Sequence, residues 1–423
     1  MSGASPTRGF VPGDVVPGAQ SAPAFTDAAD LLLDSTGLQQ ASGAPGLLLL
    51  ADGTRYEGRL FGSEGIAQGE LVFTTGMCGY QESMTDPSFA GQVLTFTWPL
   101  LGNYGILPGI SESAGVHPRG IVCRQVMKIP DHRDSVGSVH EFLAAHGVPG
   151  IEGIDTRALT RRVREHGTVL CVFGPKERSG EMKEILSGMA PPDAEDLVAS
   201  VTCEEAVLLN QGAQDDVGEP LPRLAAIDCG IKYNILRELC RRFEVVWCPA
   251  SLDFDSIVSE WQPDALFASN GPGDPAHPGD ATSARESLAA AVRAEMPVMG
   301  ICLGHQVLAR VFGARTYKLP FGHRGANHPV RDIATGRVWI TSQNHGFAVD
   351  ADGLLPEMRV AQLHLNDDTV EGLEHTELPI FTIQYHAEAS PGPQDTEFLF
   401  DRFLSTVRNG ESMGEIGARE GKV

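Results

Sequence analysis

The pattern of apolar positions changes near residue 46. Before it, residues 1–44 are rich in Gly, Ala, Ser and Pro and show little periodicity, apart from a short helical stretch at Asp27–Leu33. Such composition cannot bury a core, so a disordered extension is expected. After it come short apolar runs separated by turn signals. Leu47–Leu50 has strand length, Asp52-Gly53 marks a hairpin, and Thr54–Leu60 alternates as the returning strand. Glu70–Thr74, Gln92–Thr97 and Gly120–Val126 read as further strands. Val139–His146 and Asp155–His166 have helical spacing, the second with Asp155 or Thr156 as N-cap, and Thr168–Phe173 returns to a strand. This predicts an N-terminal α+β domain over 45–190. Pro191-Pro192, Gln211-Gly212, Gly218 and Pro220 then mark a linker over 191–221.

From residue 222 the pattern alternates strand and helix. Leu224–Asp228, Glu244–Trp247, Ala265–Ala268 and Pro297–Ile301 are strand-like, with helices at Ile231–Arg242 and Thr282–Glu295 between them. Arg337–Thr341 and Pro379–Gln384 read as later strands and Thr396–Arg408 as a closing amphipathic helix. That alternation predicts an α/β domain over 222–410, a doubly wound and mostly parallel sheet covered by helices, followed by a tail over 411–423. No repeat of solenoid period is present.

Composition narrows the function classes. With 42% hydrophobic and 21% charged residues the chain is ordinary for a globular protein, and a net charge of -23 argues against a nucleic-acid-binding face. No apolar run reaches the ~18 residues of a membrane span, and no secretory leader is evident, so a cytoplasmic location is expected. The eight cysteines are scattered, with no Cys-x-x-Cys pair. This opposes a disulfide framework or a cysteine-rich zinc site, and leaves most of them as small buried hydrophobes.

One cysteine stands apart. Gly300-Ile301-Cys302-Leu303-Gly304-His305-Gln306 follows the strand Pro297–Ile301 and precedes the helix-forming Gln306–Val311. A cysteine at such a strand-to-helix corner sits at the positive end of a helix, which favours the thiolate, and the layout is that of a nucleophile elbow. Its partners lie in His386-Ala387-Glu388, at the end of the strand before it. Residues two apart in an extended chain share a face, so His386 is the candidate base and Glu388 the group that orients it. In Ser269-Asn270-Gly271-Pro272-Gly273, a rigid turn after a strand, Gly271 offers one N–H for an oxyanion; the amide of Leu303 offers the other. Ser342–Phe347 is polar, then small, then aromatic, and fits a loop lining an amino-acid pocket. Phosphate-binding glycine loops are absent, so no ATP or dinucleotide site is evident. His323 and His328 flank Arg324 without a third ligand in reach of sequence reasoning, and no metal is expected.

These residues carry a resemblance. The heptad around Cys302, with His386-x-Glu388 downstream, resembles the class I (triad) glutamine amidotransferases over about 222–408. Phe321–Val330, Asn344–Val349, Thr75–Glu82 and Gly153–Thr160 resemble the small, glutaminase subunit of carbamoyl-phosphate synthase, extending the likeness to about 46–408. The resemblance implies that Cys302 attacks the side-chain amide of L-glutamine, that His386 and Glu388 assist, and that Gly76, Gly271, Gly273, Leu303, Gln306, Asn344, Gly346 and Phe347 hold the substrate. Relatives often have Ser at position 76 and Thr at 78, where this chain has Gly76 and Cys78. The resemblance further implies a large ATP-binding partner subunit that takes the ammonia and makes carbamoyl phosphate for arginine and pyrimidine biosynthesis. ATP and Mg would sit on that partner, with no cofactor in this chain, and heterodimers could assemble further. The alternatives are a glutaminase serving another synthetase, or a catalytically silent regulatory subunit.

Overall fold

The apolar runs between residues 45 and 175 close on themselves. The computed structural model describes residues 43–191 and 194–410; the short helix expected at Asp27–Leu33, nearly all of the expected extension, and the tail 411–423 lie outside them. Nine strands form in the first domain: β1 (Pro45–Leu50), β2 (Arg55–Gly62), β3 (Ala67–Thr74), β4 (Gln92–Phe96), β5 (Leu100–Leu101), β6 (Gly120–Val122), β7 (Gln125–Val126), β8 (Pro149–Glu152) and β9 (Val169–Pro175). Seven of them make a closed barrel in the order β1-β2-β8-β6-β4-β3-β9, while β5 and β7 pair separately. The single strand expected over Gly120–Val126 is therefore two short ones belonging to different sheets. Closure leaves the barrel without free edges. It also demands small residues where walls approach: a Cβ on Gly120 would lie 2.5 Å from the Phe173 ring. Leu48, Leu71, Val93, Val122, Ile151 and Phe173 fill one side of the domain's apolar interior.

Helix Val139–Ala145 begins with a capping box, Ser138 and Glu141 bonding reciprocally, and helix Thr156–His166 is capped by Asp155. A further helix, Ser179–Gly188, lies against β9 and β1 and buries Met182.

The second domain is built on ten strands: β10 (Val207–Leu208), β11 (Arg223–Asp228), β12 (Glu244–Pro249), β13 (Ala265–Ala268), β14 (Val298–Ile301), β15 (Arg315–Asp332), β16 (Val338–Asp350), β17 (Met358–His364), β18 (Val370–His375) and β19 (Ile380–Ile383). Their order is β10-β12-β11-β13-β14-β19-β18-β17-β15-β16. The expectation of a mostly parallel sheet fits only its centre: β12, β11, β13, β14 and β19 run parallel, whereas β10 and the β15–β18 group pair antiparallel. The reason is connectivity. Helices separate β11 to β14 and permit right-handed crossovers, but no helix lies between β15 and β19, so those strands return by turns. The segment expected as linker also contributes an edge strand, β10. Among the described residues no helix is long and apolar enough to cross a membrane.

The two domains meet through polar and apolar contacts. Thr168 N–H donates to Pro320 O at 2.7 Å, Lys318 pairs with Glu70 at 2.6 Å, and Phe73 stacks on Phe321. This seam runs alongside the C-terminal ends of β13, β14 and β19, where open parallel sheets place their sites.

Candidate active site

Strand β14 delivers Cys302 to a corner. Its φ is 54° and its ψ is -104°, a conformation that non-glycine residues rarely adopt and that costs about 1–3 kcal/mol. Helix Leu303–Val311 starts at the next residue, three earlier than the sequence pattern implied. Two close approaches hold the corner. A Cβ on Gly300 would sit 2.8 Å from the Gly304 backbone, and one on Gly304 would sit 2.1 Å from Ala268 O. Cys302 N–H donates to Ile383 O at 2.9 Å, tying the elbow to the strand that leads to His386.

His386 and Glu388 lie beyond the end of β19. His386 N–H donates to Ser342 O at 2.9 Å, and His386 Nδ1 bonds Glu388 Oε1 at 2.7 Å. Both side chains are buried. The shared face expected from an extended chain is thus achieved, although the strand has already ended and the chain turns at Ala389 and Ser390, both with positive φ. His386 Nε2 is buried with no hydrogen bond, and Cys302 lies beside it. The thiol itself donates to Asn344 O at 3.7 Å. Burial pulls the imidazole's pKa down, but the Glu388 carboxylate and Cys302 together push it up to about 10. For Glu388, burial raises the pKa, while Lys232 and His386 outweigh it and hold the carboxyl at about 2.

The sequence offered no signal for Lys232. Its ammonium bonds Glu388 Oε1 at 2.9 Å and Ala389 O at 2.7 Å, and it is as buried as the pair it serves. A buried carboxylate needs such a counter-ion. Sequence order hid it, because 156 positions separate the partners.

Around Cys302 a pocket is lined by Gly271, Gly273, Gln306, Asn344, Gly346 and Phe347. Six of the expected glutamine contacts therefore converge. Leu303 adjoins them: its side chain lies within 2.9 Å of where a Gly271 Cβ would be, a glycine already pressed against Cys229 O. As first residue of its helix, Leu303 has an N–H without an intrahelical acceptor. Gly76 is not part of this wall. It lines an adjoining pocket with Asp86, Lys232, Asn344 and His386, on the far side of Asn344. Gln306 Nε2 donates to Phe347 O at 2.7 Å and Gln384 Oε1 at 2.9 Å, which fixes the part of β16 carrying Asn344 and Phe347; the loop expected over Ser342–Phe347 is instead strand, paired with β15.

The first domain completes the enclosure. Asn344 Nδ2 donates to Asp86 Oδ2 at 2.8 Å, Asn270 Nδ2 donates to Ser88 Oγ at 2.9 Å, and Thr75 N–H reaches Arg324 O. Glu70, Lys318 and Arg324 bring charges of both signs to the Cys302 pocket.

The sequence match divides at the same seam. Residues 48–173 match the model of the carbamoyl-phosphate synthase small chain, CPSase domain, and residues 225–406 match that of glutamine amidotransferase class-I. The chain belongs to the carbamoyl-phosphate synthase small-chain family. A carbamoyl phosphate synthase small chain from Symbiobacterium thermophilum is 45% identical over 85% of this chain and 97% of its own length. Those from Methanosarcina mazei and Archaeoglobus fulgidus are 46% and 44% identical over 84% and 85% of this chain, covering 96% and 98% of their own. Membership makes the chain a glutamine amidotransferase, the glutaminase subunit of its synthase.

The small chain's histidines also cluster more tightly than the sequence implied. His364 joins His323 and His328, and His345 with Glu371 forms a second group around His323, each set with ligand atoms within 4.8 Å. The third ligand missing from the sequence reading is thus present in the fold. The cluster already has internal partners: His323 Nε2 bonds Asp367 Oδ2 at 2.8 Å, its Nδ1 pairs with Glu371 at 3.8 Å, and His328 bonds His364 at 2.9 Å. Burial lowers the His323 pKa, but these two carboxylates raise it overall, which favours an imidazolium at the centre.

Proposed function

We propose that Cys302, His386 and Glu388 form the catalytic triad that hydrolyses L-glutamine to glutamate and ammonia. His386 Nε2 takes the thiol proton before substrate arrives, and Sγ then attacks the side-chain amide carbon. The N–H groups of Gly271 and Leu303 stabilise the resulting oxyanion. Collapse breaks the C–N bond, and the imidazolium returns its proton to the leaving nitrogen, releasing ammonia and a glutamyl thioester. Water, deprotonated by His386, then attacks the thioester; glutamate leaves and the thiol is restored. Glu388 fixes the imidazole tautomer and stabilises its cation.

The observation that carries this reading is the oriented but unpaired His386 Nε2 beside a cysteine held at a strained elbow. The mixed charges of Glu70, Lys318 and Arg324 suit a zwitterionic amino acid. Gly271, Gly273, Leu303, Gln306, Asn344, Gly346 and Phe347 are the proposed glutamine contacts. Gly76, in the adjoining pocket, acts through its backbone, since it has no hydroxyl to offer.

The ammonia passes to a large ATP-binding subunit in the same compartment, the cytoplasm, which uses ATP, Mg and bicarbonate to make carbamoyl phosphate for arginine and pyrimidine biosynthesis. The test is Cys302→Ala in the complex with that subunit. Glutamine-dependent synthesis should vanish while ammonia-dependent synthesis continues. Normal use of glutamine by the variant sinks the triad assignment.

A further inference from the structure

Glu112 belongs to the first domain, yet its carboxylate lies fully buried beside the catalytic segment of the second. One oxygen, Oε1, accepts from Ser390 Oγ at 2.7 Å and lies 3.7 Å from Arg237. The other accepts from Asn234 N–H at 3.0 Å, and the Glu112 carbonyl accepts from Tyr233 N–H at 2.8 Å. Two of these partners lead back to the triad. Asn234 Nδ2 donates to Glu388 O at 2.6 Å. Ser390 follows Ala389, whose carbonyl holds Lys232, and Lys232 holds Glu388. The first two N–H groups of helix Tyr233–Cys240 have no intrahelical acceptors, and Glu112 satisfies both, Tyr233 with its carbonyl and Asn234 with its carboxylate.

We propose that Glu112 is a positioning residue of the glutaminase site, through which the first domain sets the placement of Glu388 and hence of the His386 imidazole. The inference rests on the triad assignment and extends it: the barrel domain is a structural part of the catalytic apparatus, not only a neighbour. The carboxylate clamps both the segment after Glu388 and the helix start beside Lys232. The charged groups around it are Lys232 and Arg237 from the second domain and Glu82 from its own, with Asp86 also acting on Lys232. None of these replaces Glu112, because only Glu112 bonds both Ser390 and the Asn234 amide.

The experiment uses the full chain bound to its synthetase subunit, comparing wild type with Glu112→Gln and Ser390→Ala. Glu112→Gln keeps the volume and one acceptor oxygen. It should lower kcat for glutamine hydrolysis on the order of tenfold, with KM within about twofold, because misplacing the base costs the chemical step rather than binding. Ser390→Ala, which deletes one bond of the clamp and no charge, should lower kcat less, about threefold. Glu112→Asp, which keeps the charge, should recover part of the loss. Ammonia-dependent synthesis by all three complexes should match wild type, and co-elution of each variant with the synthetase subunit shows that the chain is folded and assembled. Unchanged kcat in Glu112→Gln, or a rise in KM alone, overturns the proposal. Failure of the triad assignment shows separately, as glutamate release that survives Cys302→Ala.

Discussion

The two walls of the pocket at Cys302 are built in opposite ways. One wall is local: β14, Cys302 and helix Leu303–Val311 are contiguous, and two glycines and a strained corner define it. The facing wall is assembled from distance: Asp86 and Ser88 of the barrel domain hold Asn344 and Asn270, and Glu112 holds Ser390. The first wall carries the reacting atoms, and the second places them. Chemistry therefore resides in a short motif, while its geometry depends on residues 182 to 278 positions away.

The same contrast appears in two carboxylates that share Lys232. Glu388 and Glu112 are both buried, and for both burial raises the pKa. At Glu388 the direct bond to Lys232 and the His386 imidazole reverse that effect, whereas Glu112 stays raised overall. Proximity to one cation has different consequences because only Glu388 bonds it directly.

The contrast can be broken most severely from the local wall. Cys302→Ala should reduce glutamine hydrolysis by at least about 10³-fold, measured as glutamate release, since no other group supplies the nucleophile. Lys232→Met tests the assembled wall. Leaving Glu388 buried without its counter-ion should cost on the order of 10- to 100-fold in kcat, and wild-type turnover in that variant would show the ion pair to be catalytically idle. Gly304→Ala should destabilise the chain by about 1–3 kcal/mol in urea unfolding, because the added methyl meets the Ala268 carbonyl oxygen. Asp86→Ala removes one hydrogen bond to Asn344 and should raise KM for glutamine about three- to tenfold, with kcat little changed.

The last expectation concerns pH dependence. The folded His386 pKa of about 10 lies above the ordinary 6.5, so the imidazolium contributes stability that is complete below pH 6.5 and is lost as pH rises through about 10. His386→Asn should flatten the decline of Tm across that window. An identical decline in the variant would show that this ion pair is not what alkali disrupts.

The legibility of the molecule follows the range of its interactions. Strands such as Leu47–Leu50 and helices such as Val139–His146 announce themselves through period and caps, which are local properties. The barrel was not legible, because closure depends on which strands pair, and β3 with β9 or β2 with β8 are long-range choices. The antiparallel half of the sheet went unread for a related reason: β15 is a strand of 18 residues whose run is broken by Gly322, Gly325 and Pro329, and its pairing with β16 shifts register twice.

The sequence by itself pointed to the candidate reacting groups, because a strand-to-helix turn at Cys302 and a His-x-Glu pair are each encoded within a few residues. Through a resemblance to known glutaminases it named Gly271, Gln306 and Asn344–Phe347 as candidate substrate contacts. Only the tertiary structure decided what keeps those groups in place: Lys232 beneath Glu388, Asp86 behind Asn344, Glu112 against Ser390, and Gly76 in the adjoining pocket. The physical reason is burial. An ionised side chain withdrawn from water must find its partner somewhere in the fold, and sequence order does not say which distant residue will be there.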